Sequence, residues 1–170
     1  FFSQGECRLR PHFKAHKTPE IARRQLAAGS CTGVTCATVS EAEVAAAFCD
    51  DILIANEVIG ADKCARVVEL TCGAGLNGLR RITIAVDSEE GLSQIARAVT
   101  ELAGRKGLRR IEVGVLVDLN VGQNRCGVEP GAAALALAKR AAATEGVRLR
   151  GVMGYEGHLQ PIVDRAERQQ

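Results

Sequence analysis

Short runs of β-branched and aliphatic residues alternate with longer alanine-rich stretches along this chain, and that alternation leaves few folds open. Candidate strands cover residues 8–14, 33–38, 51–55, 81–86, 111–117 and 147–153. Helical patterns follow each of them, over residues 18–29, 40–48, 62–70 and 88–105, then from Pro130 and from near Pro161. The helix starts carry their own signals. Thr18 precedes Pro19, an N-cap followed by proline at the first helical position. Ser40 and Glu43 form an S-x-x-E capping box ahead of an apolar run. Strand and helix in strict succession mean βαβ units and a parallel sheet. Six such units in one style predict an α/β fold, a (β/α)₈ TIM-type barrel with its last two units missing. The rival, a doubly wound open sheet, advertises a glycine-rich first turn when it binds dinucleotides, and no G-x-G-x-x-G follows the first run. Residues 1–170 therefore read as one partial barrel domain. The chain opens on Phe1-Phe2-Ser3 and closes on helix-like residues with no stop signal. Both ends read as cut, which predicts a piece of a longer protein.

Composition narrows the function. The 170 residues carry a net charge of +2, with basic residues spread out rather than clustered. Aromatic residues make up 3%, with no Trp and a single Tyr. Neither a phosphate-tracking basic patch nor a base-stacking platform is present, so a nucleic-acid partner is not expected. No apolar run reaches the roughly 18 residues of a membrane span, so no membrane partner is expected either. The seven cysteines are odd in number, irregular in spacing and contain no C-x-x-C pair. They read as reduced thiols of a cytoplasmic protein, several serving as small buried hydrophobes.

In a parallel barrel the chemistry gathers where strands end. Those ends present Lys14 and His16, then Thr38, Asn56, Asp87, Asn120 with Arg125, and finally Tyr155 with His158. All three histidines lie at or beside two of these ends. In an extended strand, His12, Lys14 and His16 share a face. A lysine in a partly desolvated mouth has a reason to lose its proton, and a neutral amine condenses with a carbonyl as a Schiff base. The alternative is a surface lysine in a basic stretch with Arg8, Arg10 and Lys17. Arg125 stands in a glycine-flanked loop, where its planar fork can take a carboxylate or phenolate oxygen or pair with a surface acid. Tyr155 and His158 share one short glycine-flanked turn and can position a substrate or move protons.

The segment Arg10-Pro11-His12-Phe13-Lys14-Ala15-His16-Lys17 resembles the R-P-H-x-K-[TA]-H-K segment of D-threonine aldolases and eukaryotic-type D-serine dehydratases, which have the alanine racemase-like fold. The likeness continues through residues 39–43, 51–56 and 120–127, in order and in register. It implies a pyridoxal 5'-phosphate enzyme with Lys14 as the Schiff-base lysine and Arg125 near the cofactor's phenolic oxygen. His12, Thr38, Asn56, Tyr155 and His158 fall at cofactor-proximal positions, and His12, His16, Tyr155 and His158 are acid–base candidates. It also implies a β-rich C-terminal domain absent from this chain, a homodimer, and a divalent metal (Mn, Mg or Zn) held through that domain, with no metal ligand here. The activity implied is lyase action on D-3-hydroxy amino acids, first a D-threonine aldolase-like cleavage to glycine and an aldehyde. D-serine dehydration, racemisation and a non-catalytic cofactor-balancing protein are the alternatives.

Overall fold

The computed structural model describes residues 5–75, 78–108 and 111–169. The opening residues that read as a cut end, and Gln170 of the closing stretch, lie outside them. Seven strands are β1 (Val34–Cys36), β2 (Asp51–Glu57), β3 (Ala74–Gly75), β4 (Gly78–Leu79), β5 (Arg81–Val86), β6 (Val113–Leu119) and β7 (Val147–Gly154). Five helices are α1 (Pro19–Ala27), α2 (Val39–Ala45), α3 (Ala61–Cys72), α4 (Glu89–Lys106) and α5 (Ala132–Ala143). Strands β3 and β4 pair with each other as a small antiparallel hairpin, which the sequence reading did not anticipate.

The other five strands form one sheet in the order β1-β2-β5-β6-β7, every pairing parallel. The order never reverses, so the sheet has no switch point of the kind a doubly wound fold uses. This is an arc of a (β/α)₈-type barrel, with helices on its outer face. Side chains alternate accordingly. Ile52, Ile54, Ile82, Ile84, Val113, Val115 and Val117 are fully buried on the helix-covered side. Helix α4 answers with Leu92, Ile95, Val99 and Leu102, a three-to-four-residue spacing that makes one stripe. Ser88 caps that helix by accepting the Gly91 N–H, and Gly107 closes it in the left-handed region. Between Ile52 and Ile82, Asp51 and Leu53, Arg81 and Thr83 occupy the other, inner side. Asp51 bridges Arg10 and Arg81, at 2.9 Å to each, across the N-terminal ends of the strands.

The first expected strand is not regular. Leu9 and His12 form isolated parallel bridges to Cys31 and Thr35, and the backbone then tightens into a 3-10 turn at Phe13–Ala15. Pro11 has no N–H for a ladder, although its carbonyl accepts the Thr35 N–H at 2.8 Å. The two-residue alternation therefore stops at Phe13, which is buried instead. The helix expected from Pro161 is also absent: short 3-10 turns at Gly157–Leu159 and Glu167–Gln169 take its place. The cap of α2 sits two residues earlier than its S-x-x-E signal. Thr38 Oγ1 accepts the Glu41 N–H, and Glu41 Oε2 reaches back to the Ala37 N–H at 2.7 Å. Thr38→Ala is expected to lower stability by about 1 kcal/mol, with Thr38→Ser close to wild type, as read from denaturant midpoints.

All seven cysteines are free. Burial pushes the Cys36 thiol up to about 12, so it stays protonated as a small core residue. Among the described residues no helix is long and apolar enough to cross a membrane.

Candidate active site

The bridge at His12 aligns the opening segment beside β1, and the 3-10 turn then swings Lys14 over the strand ends. His12 holds that turn: its Nδ1 accepts the Lys14 N–H at 3.3 Å. Burial, and then the Lys14 charge, push the His12 imidazole down, which keeps it neutral and its Nδ1 lone pair free to accept. The Lys14 side chain is exposed, so the desolvation expected of it is not present in this chain. Its Nζ lies 5.8 Å from the centre of the Tyr155 ring, and the Arg125 Cζ lies 5.4 Å from the same centre. An amine from the opening segment, a guanidinium from the loop after β6 and a phenol from the end of β7 thus meet at one mouth.

The loop that carries Arg125 is built around Asn120. Its Oδ1 accepts the Gly122 and Asn124 N–H groups, while its Nδ2 donates to Asn124 Oδ1 and Glu129 Oε1. Val128 closes the loop by donating to the Asp118 carbonyl. Gly127, at φ 97°, donates to Asp87 Oδ2, and a Cβ there would lie 2.6 Å from Asn120 N. The turn after β7 packs on this loop. The His158 ring lies against Gly122, where a Cβ would meet Nε2 at 3.0 Å, and Gly157 leaves room for the Tyr155 ring.

The remaining expected residues sit apart from this trio. His16 turns to α1: Nδ1 accepts the Thr18 N–H, and Nε2 pairs with Gln25 Oε1 at 3.3 Å. Both its ring nitrogens are thereby engaged, and it does not share a strand face with His12 and Lys14. Thr38 caps α2. Asn56 Nδ2 donates to the Ala37 carbonyl, and both residues line a cleft of about 290 Å³ over the ends of β1 and β2. Glu57 borders the same cleft. Sequence reasoning missed Glu57, Asp118 and Cys126, which converge within 4.8 Å of one another. The signal available was parity: Asp118 interrupts the apolar run of β6 at an inward position.

The donor set fits an anionic aromatic aldehyde such as pyridoxal phosphate. A primary amine faces the mouth, a guanidinium stands ready for a ring oxygen, and a phenol ring lies between them. Fold and mouth together define an α/β-barrel protein that gathers an amine, a guanidinium and a phenol at its strand ends.

Residues 2–170 match the alanine racemase N-terminal domain, and the chain belongs to that family. It is 42% identical over 161 residues to a D-threonine aldolase from Arthrobacter sp., covering 94% of this chain and 39% of that protein. It is 33% identical over 155 residues to a 3-hydroxy-D-aspartate aldolase from Paracoccus denitrificans, covering 90% of this chain and 37% of that protein. The crystal structure of D-threonine aldolase from Filomicrobium marinum superposes with a TM-score of 0.87 at 38% identity, covering 99% of this chain and 42% of that one. The chain thus spans about two-fifths of the length of these relatives.

Proposed function

We propose that this chain is the cofactor-binding barrel of a pyridoxal-phosphate-dependent lyase that cleaves D-3-hydroxy amino acids to glycine and an aldehyde, as a D-threonine aldolase does. The observation that carries it is the meeting of Lys14 and Arg125 on the Tyr155 ring. The similarity to the aldolases named above supports the reaction class. The Paracoccus relative makes a β-carboxylate a second substrate side chain to consider.

In this reading Lys14 and Arg125 would hold the cofactor, Lys14 through its primary amine and Arg125 through its guanidinium. The bound cofactor supplies an electron sink that weakens the bonds at the amino acid's Cα. His12 keeps the Lys14 turn in place through its neutral ring, so protonating His12 would lose the Lys14 N–H acceptor. His16 has no free ring nitrogen. That leaves Tyr155 and His158 at the mouth to accept the β-hydroxyl proton as the Cα–Cβ bond breaks. Thr38 and Asn56 shape the cleft beside β2 and contribute cofactor contacts. A β-rich domain outside this chain supplies the divalent metal ligands, and the whole protein works as a cytoplasmic homodimer.

The test is incubation of the purified full-length protein with D-threonine, with and without chelator. Release of glycine and acetaldehyde, lost on chelation and restored by Mn, is the expected result. Pyruvate and ammonia from D-serine would instead make it a dehydratase. Inertness toward both substrates would end the lyase reading.

A further inference from the structure

Glu57 closes β2 and Asp118 lies one residue from the end of β6, with β5 between them. A register shift after Ile54 sets Glu57 opposite Ala85 of the strand between them. Their oxygens and Cys126 Sγ lie within 4.8 Å of one another. Asp118 is 5% exposed. Glu57 Oε1 is shut off from solvent and has no donor. Two ionised carboxylates offer each other only lone pairs, and crowding them in a shielded site favours the protonated form of Glu57.

A divalent cation would satisfy them, but the surroundings oppose it. Burial holds the Cys126 thiol above its ordinary value, which favours the S–H that donates to Asp118 Oδ2 at 3.4 Å, whereas a ligand thiol must give its proton up. The Arg125 guanidinium, hydrogen-bonded to Cys126, adds a fixed positive charge beside the same atoms.

We propose that Glu57 and Asp118 hold one proton between them, carried on Glu57 and donated to an Asp118 oxygen, and that the pair acts through Cys126 as a positioning unit for the Arg125 guanidinium. The chain of contacts runs Glu57–Asp118–Cys126–Arg125, from the end of β2 to the mouth. The groups facing Glu57 are Asp87 from the end of β5, Asp118 from β6, and Cys126 and Arg125 from the following loop. Burial first, then the Asp87 and Asp118 charges, push Glu57 above the usual carboxylate range. Burial likewise pushes the Cys126 thiol up, which keeps its hydrogen on sulfur. The pair thereby presents one net negative charge beneath the guanidinium instead of two.

The sign of the pH dependence follows. The native protein keeps a proton on Glu57 at pH values where the unfolded chain has released it. Stability contributed by the protonated pair is complete below the ordinary carboxylate range and declines as pH rises through the raised native value. Glu57→Gln keeps a neutral group and an N–H for Asp118, and abolishes that decline.

The experiment uses the full-length protein. The infrared carbonyl stretch of a protonated carboxyl is expected to persist in the wild type to a pH above the ordinary carboxylate range. It disappears in Glu57→Gln, and in Asp118→Asn it is lost at a lower pH than in the wild type, because burial alone then holds the proton on Glu57. The link to the cofactor rests on the proposed function, whereas the infrared reading stands without it. Cofactor affinity is expected to fall roughly tenfold in Glu57→Ala, which leaves Asp118 without its donor, and to recover in Glu57→Gln. A wild type without the band, a band that survives Glu57→Gln, or stoichiometric zinc lost in Cys126→Ala would each overturn the shared proton. Equal loss of affinity in the alanine and glutamine variants would overturn the positioning role.

Discussion

Replacing Lys14 by alanine is expected to abolish turnover, by a factor on the order of 10³ or more, while leaving the fold in place. Lys14 is exposed and its side chain fills no part of the core, so the loss is chemical rather than structural. Its backbone N–H still donates to His12 Nδ1 whatever the side chain, which preserves the turn. Two measurements separate the explanations. The absorbance of the covalently bound cofactor should vanish in the variant, and its thermal transition should match the wild type. Added primary amine should restore part of the rate. Full activity in Lys14→Ala would remove the basis of the proposed function.

The largest effect on stability is expected at Ile84. It lies on the central strand, in register with Ile54 on one side and Val115 on the other, and all three are fully buried. Ile84→Ala deletes methyl and methylene groups where close-packed neighbours on two strands and the covering helices cannot collapse inward. The expected cost is about 2–5 kcal/mol, with a fall in Tm of roughly 5–15 °C for a chain of this size. Leu135→Ala, on the exposed side of α5, should stay within about 0.5 kcal/mol of wild type. Similar losses at the two positions would mean that the sheet-to-helix layer is not the principal core.

The β-branched runs at residues 51–55, 81–86 and 147–153 made three of the strands legible, because their outward side chains need a helix layer to bury them. The pattern over residues 88–105 placed α4 to within a residue at each end, where Ser88 caps it and Gly107 closes it. The opening segment was misread where local and tertiary demands part. Residues 9–12 are extended only enough to form bridges, and the bend at Phe13 is imposed by burying its ring against Phe48, 5.9 Å away. The same bend separates His16 from Lys14, so the shared face inferred from alternation does not exist. In the site, Lys14, Arg125 and Tyr155 were visible as chemistry-bearing side chains at strand ends. Glu57 and Asp118 were not, since a carboxylate at a strand end reads as solvated until the register shows which acid it faces. The Thr38 cap was hidden by a stronger local signal at Ser40, two residues along.

Asp51, gripping Arg10 and Arg81 at once, ties together three neighbouring segments at the floor of the sheet, far from the loops that form the mouth. Rigidity and recognition are thereby housed at opposite poles of the molecule. An engineer seeking to alter recognition can remodel the turns after β6 and β7 without loosening the anchorage below, and a random library confined to those turns should keep its fold far more often than one that touches the floor.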